Sequence, residues 1–168
     1  SVIEVINSTK FLIEKIIDDK KIPASSNYKF QDSSSFLKKI NKKINIHVSF
    51  ASIYDLKRRQ KVINVLKKNK LLKFPIIKSN TSYISEYSSI RDGTIIMHGA
   101  FINSKVNIGE NVVINTNALI EHDVQIDNNS HISTSCTING GVKIGKNCLI
   151  GSNAVIRENS IIPDNTFV

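Results

Sequence analysis

A left-handed parallel β-helix preceded by a small α/β unit is the fold class this sequence predicts. Three observations predict it: an unbroken six-residue repeat in the second half, an alternation of strands and helices in the first, and a charge balance that changes sign between them. The division falls at residues 1–83 and 84–168.

The repeat starts at Ile84 and steps by six through Ile90, Ile96, Ile102, Ile108, Ile114, Ile120, Ile126, Ile132, Ile138, Ile144, Ile150, Ile156 and Ile162 to Val168. Four residues after each aliphatic comes a small or short side chain, among them Ser88, Ala100, Ala118, Ser130, Cys136, Cys148 and Ala154. A period of six fits neither an amphipathic helix nor a half-buried strand. It fits a coil in which three hexapeptides make one triangular turn, with the aliphatic filling the interior and the small residue placed where nothing larger fits. Glycine or asparagine directly after the aliphatic, as in Ile108-Gly109, Ile114-Asn115 and Ile144-Gly145, is expected to supply left-handed backbone at the corners. Cys136 and Cys148 hold equivalent small positions, which makes them core fillers and not a disulfide or metal pair.

The first half reads as Val2–Ile6 helix, Phe11–Ile17 strand ending at Asp18-Asp19, Phe36–Ile40 helix, Ile44–Phe50 strand, a helix over 54–69 with Leu56, Val62, Ile63 and Leu66 at helical spacing, and a third strand at Phe74–Ile77. That alternation implies a small parallel, Rossmann-like α/β unit, expected to be incomplete.

Residues 1–83 hold 18 of the 23 Lys and Arg against six acids, whereas residues 84–168 hold five against eight. The net charge of +9 is thus a property of the first half. Runs such as Lys38-Lys39, Lys42-Lys43 and Lys57-Arg58-Arg59 lack interleaved aromatics and read as solvated surface, so no nucleic-acid partner is expected. Basic surface can still attract phosphorylated ligands. No apolar run approaches the roughly 20 residues of a membrane span, and no signal peptide opens the chain, so a cytoplasmic location is expected.

One turn of the coil is 18 residues, so positions 18 apart stack at about 4.8 Å. Ser104, His122, Gly140 and Glu158 form one such column. A histidine beside a glycine has open space and an accessible backbone N–H, which is what acyl transfer requires: a base for the acceptor's proton and a donor for the oxyanion. Glu121 and Asp123 flank His122, and either could fix its tautomer. His47, His98 and His131 do not converge as three zinc ligands, so no metal site is expected. A short coil leaves flat faces, and packing three copies side by side would bury apolar surface such as Phe101 or Leu119, so a homotrimer is expected.

The stretch Ile114-Asn115-Thr116-Asn117-Ala118-Leu119-Ile120-Glu121-His122-Asp123, with Ser130-His131-Ile132-Ser133 and Gly140-Gly141-Val142-Lys143-Ile144-Gly145, resembles the hexapeptide-repeat sugar O-acyltransferases of the sialic-acid O-acetyltransferase family and their relatives, the nucleotide-amino-sugar N-acetyltransferases. The resemblance implies that His122 deprotonates the acceptor and that Asp123 supports it. It further implies that His131 lies near the acyl thioester, that Gly140 N–H holds the carbonyl oxygen, and that Gly151 lines the coenzyme A groove. Asp18 and Asp19 would approach a nucleotide-activated amino sugar, with Asn115 as a further substrate contact, and acetyl-CoA would be the co-substrate. Such enzymes are trimers with active sites between neighbouring coils. The chain opens inside what reads as the first helix, without the strand and glycine-rich phosphate loop expected before it, and stops in register at Val168; it is expected to be part of a longer protein. The leading expectation is N-acetylation of a nucleotide-linked 4-amino-4,6-dideoxy sugar. O-acetylation of sialic acid or another glycan sugar is the alternative, and a non-catalytic trimeric scaffold or a zinc enzyme on the same coil follows behind.

Overall fold

A computed structural model describes residues 2–17, 28–49 and 56–168. The N-terminal unit runs α1 (Val2–Asn7), β1 (Lys15–Ile17), β2 (Lys29–Gln31), α2 (Ser33–Lys38), β3 (Ile44–Asn45), α3 (Leu56–Lys67) and β4 (Leu72–Lys73). Asp32 caps α2, its Oδ1 accepting the Ser35 N–H at 2.8 Å. The strands pair in parallel as two separate two-stranded sheets, β1 with β2 and β3 with β4, and not as one sheet. The strands are shorter than the apolar runs suggested, and β2 was not expected at all. The expected acidic pair Asp18-Asp19 lies outside the described residues.

From Ile77 onward the chain is a parallel β-helix of three five-stranded sheets, with strands two residues long. The first face stacks Ile77–Lys78, Ile95–Ile96, Val113–Ile114, His131–Ile132 and Leu149–Ile150. The second stacks Tyr83–Ile84, Phe101–Ile102, Leu119–Ile120, Thr137–Ile138 and Val155–Ile156. The third runs from Ser89–Ile90 to Ile161–Ile162. Register partners are 18 residues apart, as Leu119 with Thr137 and Val113 with His131. The second residue of each strand points inward, and the stacked isoleucines pack with Ala100, Ala118, Cys136 and Cys148 into one core. Both cysteines are free thiols buried in that core.

Two expectations about the coil change. Phe74–Ile77 is not a third strand of the α/β unit; Ile77 pairs with Ile95 and opens the first face. Lys78 holds the inward position of that strand and is exposed, which hides this strand from a search for apolar periodicity. Left-handed backbone also sits elsewhere than expected: it is the third corner residue, as Asn111 (φ 56°), Asp123 (φ 61°) and Gly141 (φ 70°), and not the residue following the aliphatic. Gly109 and Gly145 are required for space instead, since an added Cβ would lie 2.9 Å from Asn128 N and 2.7 Å from Asp164 N on the next turn.

The N-terminal unit covers the first face. Val5 of α1 packs against Ile77, Ile95 and Met97, with Val2, Ile6 and Val113 around them. Among the described side chains of α3, Arg59 and Ile63 are buried, one helical turn apart, whereas Val62 is exposed. The expectation that Lys57-Arg58-Arg59 is solvated surface therefore fails at Arg59, which is buried against the coil.

Candidate active site

The corner between the second and third faces carries the most reactive arrangement. Residues 121–123, 139–141 and 158–159 line an open cleft there. His122 Nδ1 lies 2.8 Å from Asp123 Oδ2. This contact follows from backbone geometry: Asp123 takes the left-handed corner position, φ 61°, a conformation that aspartate tolerates better than most residues. Glu121, the other flanking acid, turns away and accepts from Asn103 Nδ2 at 3.0 Å. Asp123 is thus the acid in contact with His122. With Nδ1–H donated to the carboxylate, Nε2 keeps its lone pair and faces the cleft.

The imidazole lies against Gly140. A Cβ built there would sit 2.8 Å from His122 Cε1 and 2.9 Å from Nε2, so a side chain at 140 would displace the ring. The Gly141 N–H is taken by His122 O at 2.9 Å. The Gly140 N–H has no acceptor among the described residues. Elsewhere the preceding asparagine fills that role, as Asn103 Oδ1 does for Ser104 N and Asn115 Oδ1 for Thr116 N, both at 2.8 Å. Asn139 instead donates Nδ2 to Ile156 O at 2.8 Å and leaves the Gly140 donor free. A base and an unpaired amide N–H thus meet in one exposed cleft, the pairing required to remove a proton and stabilise an oxyanion.

The other predicted residues form a second group. Asn115 Nδ2 lies 3.4 Å from His131 Nε2. Gly151 shares the column of Asn115 at the corner between the first and second faces, two turns above it. Burial first, then the charge of Arg59, hold His131 down at about 4, so its imidazole is neutral at physiological pH. The full width of the second face separates this group from His122, so one chain does not bring the two together. That face carries an exposed apolar stripe: Tyr83 (52%) and Phe101 (41%), stacked at a centroid distance of 4.5 Å, then half-buried Leu119, and Val155 (68%).

Arg59, expected as solvated surface, is buried. The helical face that contains Ile63 and Leu66 also contains position 59, and that spacing was the available signal. Among the described residues no group of His, Cys, Asp and Glu is arranged to hold a metal ion, and no helix is long and apolar enough to cross a membrane.

Residues 105–140 and 123–158 match the family model for the bacterial transferase hexapeptide (six repeats). No curated protein matches the chain. Among solved structures, it is similar to the acetyltransferase domain of PglB from Neisseria gonorrhoeae in complex with acetyl coenzyme A, at 20% identity and TM-score 0.86, covering 99% of this chain and 88% of that one. It is also similar to a mutant of perosamine N-acetyltransferase from Caulobacter crescentus in complex with CoA and GDP-perosamine, at 19% identity and TM-score 0.76, covering 99% and 86%. WeeI from Acinetobacter baumannii matches at 17% identity and TM-score 0.58, covering 95% and 84%. At these identities the likeness speaks for the fold.

Proposed function

We propose that this chain is an acetyl-CoA-dependent N-acetyltransferase that acts on a nucleotide-linked amino sugar, on a left-handed coil joined to an N-terminal unit, the residues before Ile77, that receives the nucleotide. The observation that carries the reading is the cleft in which His122, fixed by Asp123, adjoins the unpaired N–H of Gly140. The hexapeptide-transferase match and the likeness to acetyltransferases that bind acetyl-CoA and a nucleotide amino sugar support it.

In this mechanism the acceptor amine attacks the thioester carbonyl. A C–N bond forms, the carbonyl oxygen becomes an oxyanion held by Gly140 N–H, and His122 Nε2 takes the proton from the nitrogen. Collapse then breaks the C–S bond, and the coenzyme A thiolate leaves and is protonated. His122 does not become an isolated charge in this step, because Asp123 accepts its Nδ1–H.

The site is completed by a second copy in a homotrimer. If the apolar second faces of three chains turn toward a threefold axis, the His122 corner of each copy meets the Asn115, His131 and Gly151 side of the next. The donor then lies against His131 and Gly151 of one coil, with its acyl group directed to His122 of the other. Such packing also covers Tyr83, Phe101 and Val155, which otherwise face water.

Incubation with acetyl-CoA and a panel of UDP-, GDP- and dTDP-amino sugars, read by thiol release and by the mass of the acetylated sugar, tests the reading. Thiol release dependent on one amino sugar is the expected result. Acetylation of hydroxyls with no amine acceptor used would replace it with O-acetylation, and no acetyl-CoA binding by calorimetry would remove the enzyme reading altogether.

A further inference from the structure

His98 stands half-buried at the corner between the first and second faces, in the run Met97-His98-Gly99, one turn below Asn115-Thr116-Asn117. The stacking is direct: the Asn117 N–H donates to His98 O at 3.0 Å. The imidazole is anchored from the turn beneath. Its Nδ1 lies 2.8 Å from the hydroxyl of Ser79, a residue only 3% exposed, and 3.5 Å from Thr81 Oγ1. Ser79 Oγ also accepts the Thr81 N–H at 3.2 Å and lies 3.0 Å from Thr81 Oγ1, which accepts the Gly99 N–H at 3.3 Å. These hydroxyls tie the ring through one nitrogen, and its Nε2 has no partner among the described residues. Above it the same column holds Thr116, Thr134 and Ser152, so His98 is the bulky floor of a corner otherwise lined by short side chains. The preceding Met97 packs with Val5 of α1, Ile77 and Ile95, which puts His98 beside the seam where the N-terminal unit rests on the coil. At the His122 corner, Lys105 stands one turn below Asp123. It is exposed, in left-handed backbone at φ 58°, and pairs with no carboxylate among the described residues.

Resting on the trimeric acetyltransferase reading above, we propose that His98 holds the acceptor by its diphosphate: Nε2–H donates to a phosphate oxygen, with Lys105 of the copy that supplies His122 on the opposite wall. Three features place the diphosphate there. The donor occupies the upper turns, against His131 and Gly151, which leaves the lower turns to the acceptor. The nucleotide is received by the N-terminal unit, which meets the coil at Ile77 and Met97, next to His98. One turn, about 4.8 Å, separates His98 from Asn115, the substrate contact that faces the His122 corner. That step is the span of a sugar ring from a carbon bearing an amine to the carbon bearing the phosphate. The chemistry suits the position. Ser79 O–H donating to Nδ1 keeps the ring proton on Nε2, and a donor aimed at an ionised oxygen makes the stronger kind of hydrogen bond. Lys105 brings a full positive charge to the same group. Neither residue touches the reacting atoms, so both act on acceptor binding and acceptor choice.

The test compares the whole chain with its His98→Ala, His98→Gln and Ser79→Ala variants on two acceptors: the nucleotide amino sugar that the panel identifies, and the same amino sugar as a methyl glycoside, which lacks the diphosphate. With the nucleotide sugar, His98→Ala raises KM about tenfold, the loss expected for one hydrogen bond to a charged group. It leaves kcat and the KM for acetyl-CoA within about twofold of wild type. His98→Gln, which keeps an N–H donor, recovers part of the loss, and Ser79→Ala, which frees the ring, falls between wild type and His98→Ala. With the methyl glycoside, wild type and His98→Ala have equal kcat/KM. An equal loss on both acceptors moves the contact from the diphosphate to the sugar and overturns the proposal, as does an unchanged KM for the nucleotide sugar. A binding measurement needs neither acetyl-CoA nor turnover: the His98 ring resonances of the wild-type chain shift on NMR titration with at least one of UDP, GDP and dTDP. No shift with any of the three overturns the proposal. A chain that fails to bind acetyl-CoA sinks the acetyltransferase reading, whereas this titration still decides on His98. It also decides if the His98 variants do not fold.

Discussion

The coil and the N-terminal unit solve the same problem, keeping apolar side chains from water, by opposite means. In the coil each turn repeats the last, so Ile102, Ile120, Ile138 and Ile156 occupy one environment 18 residues apart. In the N-terminal unit no environment repeats: α1 rests on the first face through Val5, α3 buries a charged residue beside Ile63, and the strands pair two by two. A repeat makes burial predictable from local pattern, whereas the N-terminal unit owes its core to the surface it sits on. The proposed chemistry is divided likewise. His122 and Gly140 are set by coil geometry alone, whereas His131 is lowered first by its burial and then by the charge of Arg59, a residue outside the coil.

The largest effect is expected at the coil's own site. His122→Ala lowers kcat by at least about 100-fold, the usual contribution of a positioned base, and leaves acetyl-CoA affinity nearly unchanged by calorimetry. Gly140→Val lowers turnover as well but also weakens donor binding, because its side chain occupies the space beside the His122 ring. Near-full activity of His122→Ala would shift the base to another residue, with His131 next to be tested.

A stability pair sharpens the structural contrast. Ile120→Ala leaves a cavity inside the stacked core, and about 4 kcal/mol is expected. Ile63 is buried but lies outside the stacked core, so about 2 kcal/mol is expected for Ile63→Ala from chemical denaturation. Equal losses would mean that the N-terminal unit is as tightly packed as the coil.

Acid sensitivity tests the junction. Burial, and then the Arg59 charge, hold both His47 and His131 at about 4 in the folded protein, against 6.5 when they are solvated. The unfolded chain therefore binds protons first as pH falls, so the stability associated with neutral histidines is full above pH 6.5 and is lost toward pH 4. Denaturation midpoints flat from pH 8 to 7 and falling below 6.5 are expected, with a shallower fall in His47→Gln. A fall of the same steepness in that variant would exclude His47 as a source.

The smallest effect is expected at the exposed contact between the same two parts. Lys67 pairs with Glu110, and both side chains remain more than a third exposed, so Lys67→Ala costs at most about 1 kcal/mol. A larger loss would make this surface pair, and not Arg59, the principal electrostatic tie.

The hexad from Ile84 to Val168 determined the coil, its register and the column of Ser104, His122, Gly140 and Glu158, because a strict period leaves one way to bury the aliphatics. It did not reveal the first strand of the coil, since Lys78 stands where the period requires an aliphatic. Spacing alone left Glu121 and Asp123 as equal flanks of His122, and only the resemblance favoured Asp123; in the structure Asp123, at the left-handed corner, is the acid in contact. The strands of the first half were legible only roughly, because short strands depend on neighbours that local pattern does not encode. Burial of Arg59 and the depressed His131 were decided by tertiary structure alone. Arg59 is buried where Val48 and Asn111, far apart in sequence, bring two carbonyls to one guanidinium, and His131 is depressed first by its own burial and then by that charge; proximity of that kind leaves no periodic trace.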